Sequence, residues 1–350
     1  MRIDLKASYD NDGFVAVKGV FSEQTCRSIL RKIRLDDSKS PVDWDKGWAV
    51  SSHFWYEIAS QSQLLDVVRQ LIGRNILLWG ASLIRKGPDA FHPWHCDIEH
   101  LSVNDGEVVS VWIGLENTFE TSSLMFIPRS HEFPNTIQEV RFRKGVERMK
   151  ATTQNVVQWA QEIDSDSQVQ TPLVSNGDAV FFHGRIWHGS QNKSGKARSA
   201  LLLQYATPLA KIRIPYVGSY DWPFRYAPLP WPSCILLEGD DQTGNNLLVN
   251  PPISNIIKSR LQILKNRIHQ LQLPLPLEES SAWQPHYIFN GRTAGLDNVT
   301  CHVSVLRKGH SPHPPHTHRE EELLIVLSGM ADVILPEVPS SEGDFHHRLN

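Results

Sequence analysis

Residues 177–206 read GDAVFFHGRIWHGSQNKSGKARSALLLQYA, and this stretch decides the fold class. It contains two short apolar runs, GDAVFFHG and RSALLLQYA, with glycine, serine, asparagine and lysine between them. Short apolar runs bounded by turn residues are typical of antiparallel strands rather than of alternating strands and helices. Similar runs occur from residue 76 onward, namely ILLWGASLIRK, VVSVWIGLE and SSLMFIP. The sequence therefore predicts a mainly β (α+β) fold, an antiparallel sandwich or jelly roll (a double-stranded β-helix).

Helices are expected to flank this sheet. Ser22 is suited to cap a helix whose apolar residues recur at helical spacing. A second helix is predicted over residues 61–72, with Gly73 where a C-terminal glycine cap belongs. Residues 138–163 interrupt the strand pattern as a helical insertion, and residues 252–271 have the periodicity of a further helix.

Composition excludes several classes of protein. The chain has 350 residues, of which 40% are hydrophobic and 21% charged, and its formal net charge is -3. This balance is too apolar for general disorder and gives no indication of a nucleic-acid or membrane partner. The start lacks the apolar core of a signal peptide, and the widely spaced cysteines indicate reduced thiols. A cytoplasmic protein is expected.

The first candidate site lies in the segment PWHCDIE, where His95 and Asp97 are two residues apart. In a strand this spacing places an imidazole and a carboxylate on one face. His188 in the segment quoted above offers a third ligand, and two imidazoles with one carboxylate form the facial set of non-haem Fe(II) oxygenases. His-x-Asp alone is weak evidence in a chain with 16 histidines, and His183 competes with His188.

Four segments, in the same order, resemble the phytanoyl-CoA dioxygenase family. The opening NDGFVAVKGVFS is similar to that family's first strand and turn, and PWHCD to its WHxD motif. VWIGLEN followed by SSLMFIPRSH resembles its strand and Pro-Gly-Ser-His turn. GDAVFFHGRIWHGSQNKSGKAR resembles its distal HGS segment and is the most specific of the four. The resemblance covers about residues 10 to 250.

This resemblance implies an Fe(II)- and 2-oxoglutarate-dependent dioxygenase that hydroxylates a small organic substrate with O2 and releases succinate and CO2. The iron ligands that it implies are His95, Asp97 and His188. It also implies three residues around 2-oxoglutarate, namely Arg198, Ser190 and Trp112. Arginine suits a carboxylate because its planar fork binds both oxygens and stays charged when buried.

Alternatives remain for some of these residues. Trp112 is equally suited to core packing, and Arg198 could instead pair with a surface carboxylate. Arg129 stands where the family has glycine, which predicts a turn without a positive φ. Relatives that halogenate replace the carboxylate of the HxD pair with a small residue, so the presence of Asp97 favours hydroxylation or a related oxidation.

The substrate is not indicated by any motif. Residues 43–57 are rich in aromatic side chains and would form either a pocket wall or a surface loop. Residues 141–150, RFRKGVERMK, carry five basic side chains that would either hold an anionic group or form a solvated helix face.

The C-terminal stretch KGHSPHPPHTHREEELLIVLSGMADVIL resembles the first motif of the cupin family. His316, His318 and Glu322 would share one face of a strand, but no second motif follows before Asn350. The expectation is a second, incomplete cupin-type β unit. It would hold a second divalent metal or would be a metal-free structural module, and its open strand edges predict self-association.

Two domains joined by a linker, and three candidate functions, follow from these observations. The predicted limits are 1–250 for the oxygenase domain, 251–283 for a helix and linker, and 284–350 for the partial cupin-like domain. The leading function is the dioxygenase; the alternatives are a metal-binding cupin-type enzyme and a catalytically silent small-molecule-binding protein.

Overall fold

The computed structural model describes residues 4–35, 46–99, 106–228, 231–252, 263–264, 268, 270, 274–277, 282–293, 296, 299–311, 323–335 and 345–349. The chain divides into two compact units, Met1–His316 and Thr317–Asn350. The predicted second metal set, His316, His318 and Glu322, lies outside the described residues, as does most of the predicted helix over 252–271. Across the ranges given above, no helix is both long and apolar enough to span a membrane.

The helices of the described residues are α1 Leu5–Asp12, α2 Glu23–Leu35, α3 Trp48–Ser51, α4 His53–Ala59, α5 Ser62–Ile72, α6 Ile137–Arg143 and α7 Thr153–Gln161. Short 3-10 helices occupy Glu120–Ser122, Ser130–Glu132, Arg148–Lys150 and Val217–Ser219. The predicted helix caps are confirmed: the Ser22 hydroxyl accepts from the Thr25 amide at 3.1 Å, and Gly73 ends α5 with a φ of 87°. The helical insertion is also confirmed, as α6 and α7.

The strands of the described residues are β1 Phe14–Val17, β2 Ile76–Lys86, β3 Phe91–His95, β4 Val108–Glu116, β5 Leu124–Phe126, β6 Ala179–His183, β7 His188–Gln191, β8 Arg198–Ala206, β9 Ser233–Glu238, β10 Leu247–Leu248, β11 Trp283–Gly291, β12 Val299–Leu306, β13 Ala331–Leu335 and β14 Phe345–Leu349. A seven-stranded sheet has the order β1-β6-β4-β8-β2-β9-β10, and a three-stranded sheet has the order β3-β7-β5. The helices and these two sheets together confirm the predicted sheet-rich α+β class. Both sheets are open, as their strand orders show.

The large sheet buries a different set of side chains on each face. On its outer face Leu78, Val111 and Leu203 pack with apolar residues of the helices, such as Trp55 and Val68. Side chains alternate along a strand, so the residues between them point to the opposite face. The continuous apolar runs that suggested strands are therefore strands buried on both faces.

The inner face of the large sheet packs against the small sheet. Trp112, Phe182 and Leu202 of the large sheet share a core cluster with Leu124 and Phe126 of the small one. Polar side chains also point inward from the large sheet, at Ser110 and Gln204, and both are fully buried. Burying such groups is costly unless they are hydrogen-bonded, which directs attention to the space between the sheets.

One prediction about the backbone is wrong. Arg129 does adopt a positive φ, 63°, although it has a side chain where glycine was expected. The amide of Arg129 donates to the Asp12 carbonyl at 3.1 Å, and its guanidinium pairs with Asp164. These contacts outweigh the modest cost of the left-handed conformation for a non-glycine residue.

The C-terminal strands form two antiparallel pairs. β11 pairs with β12 antiparallel, with one register shift, and β13 pairs with β14 antiparallel. Tyr287 on β11 and Leu323 are largely exposed. The strands β11 to β14 confirm that this part of the chain is rich in strands, as predicted. The cupin assignment and the domain limits stay predictions.

Candidate metal centre

Strand pairing within the small sheet brings the two histidines together. His95 at the end of β3 lies directly opposite His188 at the start of β7. Their ring centroids are 4.2 Å apart. Asp97 follows two residues later, in the turn beyond β3 rather than in the strand, so the alternation argument does not extend to it. The backbone amide of Asp97 instead donates to the Gly184 carbonyl at 2.8 Å, which holds the turn against the loop before β7.

The two imidazoles present the same nitrogen to the centre. Nδ1 of His95 lies 2.9 Å from the Pro93 carbonyl, and Nδ1 of His188 lies 3.0 Å from the Ile186 carbonyl. A carbonyl can only accept, so Nδ1 carries the proton on both rings and Nε2 has a free lone pair. Nε2 of His95 and of His188 lie 3.5 Å and 3.8 Å from Oδ1 of Asp97.

The surroundings of His188 and Asp97 keep both residues in the protonation states that a metal requires. Burial lowers the pKa of His188 to about 3, an effect increased by His95, so the imidazole is neutral at physiological pH. Burial by itself would raise the pKa of Asp97, but the Lys46 charge and the neighbouring histidines hold it well below its usual value. Neutral imidazoles and an ionised carboxylate are the forms that bind divalent metals.

Asp97 is oriented by two residues that the sequence interpretation missed. Its Oδ2 accepts hydrogen bonds from the Ser110 hydroxyl at 2.5 Å and from the Gln204 amide at 3.1 Å. Gln204 also donates to Ser110 at 3.2 Å. The signal for both residues was present in the sequence, as a single polar residue inside the runs VVSVW and LLLQY. With Oδ2 occupied in this way, Oδ1 remains for the centre.

Gln138 of α6 fixes the backbone between His95 and Asp97. Its side-chain oxygen accepts from the Cys96 amide and its side-chain nitrogen donates to the Cys96 carbonyl, each at 2.9 Å. Gln138 is buried and lies 42 residues further along the chain, in the insertion. No local pattern marks such a contact, so the sequence could not indicate it.

The three residues satisfy the requirements of a metal site. Their ligand atoms all lie within 4.8 Å of one another, and among the residues that the structure describes they are the one such group of histidine, cysteine and acidic side chains. Phe126 and Phe182 pack against the His188 ring, with centroids 6.0 Å and 4.8 Å away, and restrict water on that side. Two imidazoles and a carboxylate on one side leave positions open for other ligands.

Arg198 begins β8 beside this centre and is only 1% exposed. One guanidinium nitrogen donates to the Ser122 carbonyl and another lies 3.3 Å from the Ser190 hydroxyl. Its Nε is buried without a partner, and within the described part of the chain no carboxylate pairs with it. Burial lowers its pKa to about 10, so the guanidinium is still charged at neutral pH. A buried cation without an anion fits a ligand that supplies the carboxylate.

Trp112 lies both in the core and beside Arg198. Its ring lies in the core between the two sheets and 5.3 Å beneath the Arg198 guanidinium. Its Nε1 is buried and has no hydrogen-bond partner. The ring is therefore core packing, and the indole N–H remains available to a ligand beside Arg198.

His183, the histidine that competes with His188 in the sequence, lies away from the centre, whereas His92 lies at its edge. Nε2 of His183 faces Glu107 at 3.4 Å, and its ring lies 5.2 Å from that of His131, so it does not join the three. His92 lies beside His95, with ring centroids 4.7 Å apart, and its Nδ1 is 3.1 Å from Nζ of Lys86.

A cavity of about 490 Å³ opens onto the centre. Trp48, Trp55 and Leu202 line it together with His95 and Asp97. The aromatic segment thus supplies a pocket wall, from α3 and α4. Lys46 lines the same cavity, and its charge acts on Asp97. Apolar walls with a few polar groups, as in this cavity, are usual for a small-molecule site.

Comparison with known proteins places this geometry in context. A model of the phytanoyl-CoA dioxygenase (PhyH) family matches residues 9–200, more than half of the chain. The peroxisomal phytanoyl-CoA dioxygenase of Rattus norvegicus is 23% identical over 239 residues, which is 59% of this chain and 69% of that protein. The Homo sapiens protein of the same name is 25% identical over 246 residues, with the same coverage. The crystal structure of HygX from Streptomyces hygroscopicus with nickel, 2-oxoglutarate and hygromycin B aligns with a TM-score of 0.45 and 17% identity, over 59% of this chain and 88% of that one.

Proposed function

Because the chain belongs to the phytanoyl-CoA dioxygenase family and is a non-haem Fe(II)- and 2-oxoglutarate-dependent dioxygenase, we propose that His95, Asp97 and His188 are its iron ligands. The observation that supports this assignment best is the convergence of two Nε2 atoms and one carboxylate oxygen whose remaining hydrogen-bonding atoms are all occupied. The donor set matches the facial arrangement of such oxygenases.

We propose further that Arg198 binds the distal carboxylate of 2-oxoglutarate, with Ser190 and the Trp112 N–H beside it. The unpartnered Nε of Arg198 and the unpartnered Nε1 of Trp112 both support this role. When bound, iron and 2-oxoglutarate together supply the oxidation of a substrate C–H bond by O2, with release of succinate and CO2.

The chain's own residues prepare the site for this reaction. Ser110 and Gln204 orient the carboxylate of Asp97, and the Pro93 and Ile186 carbonyls orient the two rings. Groups held before the ligands arrive cost no reorganisation later. The aromatic rings beside His188 exclude water, which prevents side reactions of the oxidising centre. The substrate occupies the 490 Å³ cavity, with a hydrogen-bearing carbon towards His95 and Asp97.

Iron binding tests the ligand assignment directly. Iron per chain is measured after anaerobic loading with Fe(II) and desalting, for wild type, His188→Ala and His183→Ala. We expect about one iron per chain for wild type and for His183→Ala, since His183 faces Glu107 instead, and little iron for His188→Ala. Retention of iron by His188→Ala, or its loss from His183→Ala alone, would show that the ligands are other residues.

We also propose that the strands form a jelly roll and that residues 284–350 are a partial cupin-like β unit that mediates self-association. The opposed sheets support the first statement, and the antiparallel pairs β11–β12 and β13–β14 support the second. Exposed apolar side chains at Leu323, Leu327 and Met330 are consistent with a covered surface in an oligomer. Analytical ultracentrifugation of the full chain is expected to show concentration-dependent association, whereas a compact monomer at all concentrations would contradict it.

A further inference from the structure

Three basic side chains from different elements interact beside the centre, and we call them the basic cluster: Lys86 at the end of β2, His92 in β3 and Arg148 in the 3-10 helix Arg148–Lys150. Lys86 ends β2 directly opposite Arg198 on β8, and His92 on β3 is opposite Ser190 on β7. Nζ of Lys86 is 3.1 Å from Nδ1 of His92. Ammonium nitrogen can only donate, so this ring nitrogen is the acceptor.

The scaffold holds the basic cluster in position. The buried Asn192 amide donates to the Lys86 carbonyl at 3.3 Å and to the Gly87 carbonyl at 2.8 Å, which fixes the end of β2. Arg148 opens the 3-10 helix that packs against β3. The loop before that helix is tied down by Arg141, which is 5% exposed and donates to the Val146 carbonyl at 2.9 Å.

The positive charge of the basic cluster is not balanced. Within the described residues, no carboxylate lies at ion-pair distance from Lys86 or from Arg148. Asp221 is the carboxylate that interacts electrostatically with Arg148, but Asp221 forms its ion pair with Arg141, at 3.0 Å. Burial lowers the pKa of Lys86, and the charges of Arg198 and Arg148 lower it further. Half-buried cations that repel one another are stabilised by an anion placed among them.

Resting on the proposed function, we propose that the basic cluster binds an anionic group, a carboxylate or a phosphate, of the substrate that is oxidised. The 2-oxoglutarate molecule does not supply this anion, because its distal carboxylate is assigned to Arg198 and its other end to the iron. His92 also lines the cavity whose walls include Trp48, Trp55 and Leu202. The substrate class is therefore a small acid with an apolar body, anchored by its charge beside the iron and enclosed by aromatic rings.

The test uses the full chain loaded anaerobically with Fe(II) and 2-oxoglutarate, titrated calorimetrically with phenyl phosphate, phenylacetate and neutral phenylacetamide. At least one anion is expected to bind about tenfold more tightly than the amide, and the better anion identifies the group as phosphate or carboxylate. Arg148→Gln removes about tenfold of that anion's affinity and leaves the amide unaffected. Lys150→Gln is the matched control, because Lys150 is on the same 3-10 helix but is 70% exposed and paired with Glu147.

Charge reversal separates recognition from misfolding. In Arg148→Glu, phenethylammonium is expected to bind more tightly than phenylacetate, a gain that an unfolded protein could not show. Equal binding of anions and amide by wild type, or binding of none of the probes, overturns the proposal. A loss of 2-oxoglutarate affinity in Arg148→Gln as large as the loss of anion affinity also overturns it, since the basic cluster would then serve the co-substrate. Failure of the proposed function is recognised separately, as wild-type protein that binds the anion but neither iron nor 2-oxoglutarate.

Discussion

Replacing Gln204 with leucine removes one of the two hydrogen bonds that orient Asp97 while keeping the volume of the side chain. Gln204 is fully buried, and its amide lies 3.1 Å from Oδ2 of Asp97 and 3.2 Å from the Ser110 hydroxyl. A hydrogen bond to a charged group contributes about 1.5–3 kcal/mol, and residues that orient metal ligands change metal affinity by about 10- to 100-fold. We expect the lower part of this range, because Ser110 still donates to Asp97 at 2.5 Å.

The fold should tolerate this change. Oε1 of Gln204 is buried without a hydrogen-bond partner and faces Gly80, so leucine removes an unsatisfied acceptor along with the amide. The stability lost with the hydrogen bonds is thereby partly offset, and the melting temperature should change little. A separation of this kind, weaker metal binding in a stable protein, distinguishes a residue that orients a ligand from one that only packs.

The assay is an anaerobic competition between the protein and a coloured Fe(II) chelator. Gln204→Leu and Ser110→Ala are each compared with wild type and with the double variant. The loss of iron affinity in the double variant should differ from the sum of the two single losses, because both residues contact the same oxygen of Asp97. Ser199→Ala is the control, since Ser199 is buried on the same strand but its hydroxyl faces Glu116. An iron affinity for Gln204→Leu within about threefold of wild type would refute the reasoning.

Three further outcomes are expected. Arg198→Lys should weaken 2-oxoglutarate binding by about 10- to 100-fold, because an ammonium group cannot bind both oxygens of a carboxylate; unchanged affinity in an anaerobic spectral titration would count against it. Gly177→Ala should destabilise the fold by about 2 kcal/mol or more in urea denaturation, because φ is +90° and a Cβ would lie 2.0 Å from a backbone oxygen. Gly195→Ala, with φ +70° and nothing within 4 Å, should cost clearly less, and equal effects would exclude the steric cause. Burial opposes ionisation of Asp178, but hydrogen bonds from Lys18 and two backbone amides hold its pKa below the usual value. The ionised Asp178 therefore stabilises the folded state above about pH 4, and this stabilisation is lost as pH falls. Asp178→Asn should lower the melting temperature at pH 7 and much less at pH 3.

Strands and helices with a clear pattern could be predicted from the sequence. The run ILLWGASLIRK is β2 from Ile76 to Lys86, and the helix predicted over 61–72 is α5, Ser62–Ile72. In both cases the local pattern and the tertiary environment agree, because the apolar residues are those that the core buries. The positive φ at Arg129 could not be predicted in this way, since contacts with Asp12 and Asp164 decide it.

In the candidate site too, the sequence indicated some residues, and long-range contacts determined others. Strand spacing suggested His95 and Asp97 as a pair, the distal segment and the family resemblance added His188, and the structure brings the three together. The strand-spacing argument does not apply to Asp97 in the structure, because Asp97 lies past the end of β3. Gln138, which fixes the backbone between His95 and Asp97, comes from an insertion whose own pattern concerns only its helices. Contacts made by long-range packing leave no periodic trace.

The most direct test of the central claim is the weak visible charge-transfer band that forms when 2-oxoglutarate chelates Fe(II) in the absence of O2. We predict this band for wild-type protein, its absence in His188→Ala, and a requirement for far more 2-oxoglutarate in Arg198→Ala. Wild-type protein that binds iron at this site yet gives no band at saturating 2-oxoglutarate would contradict the account.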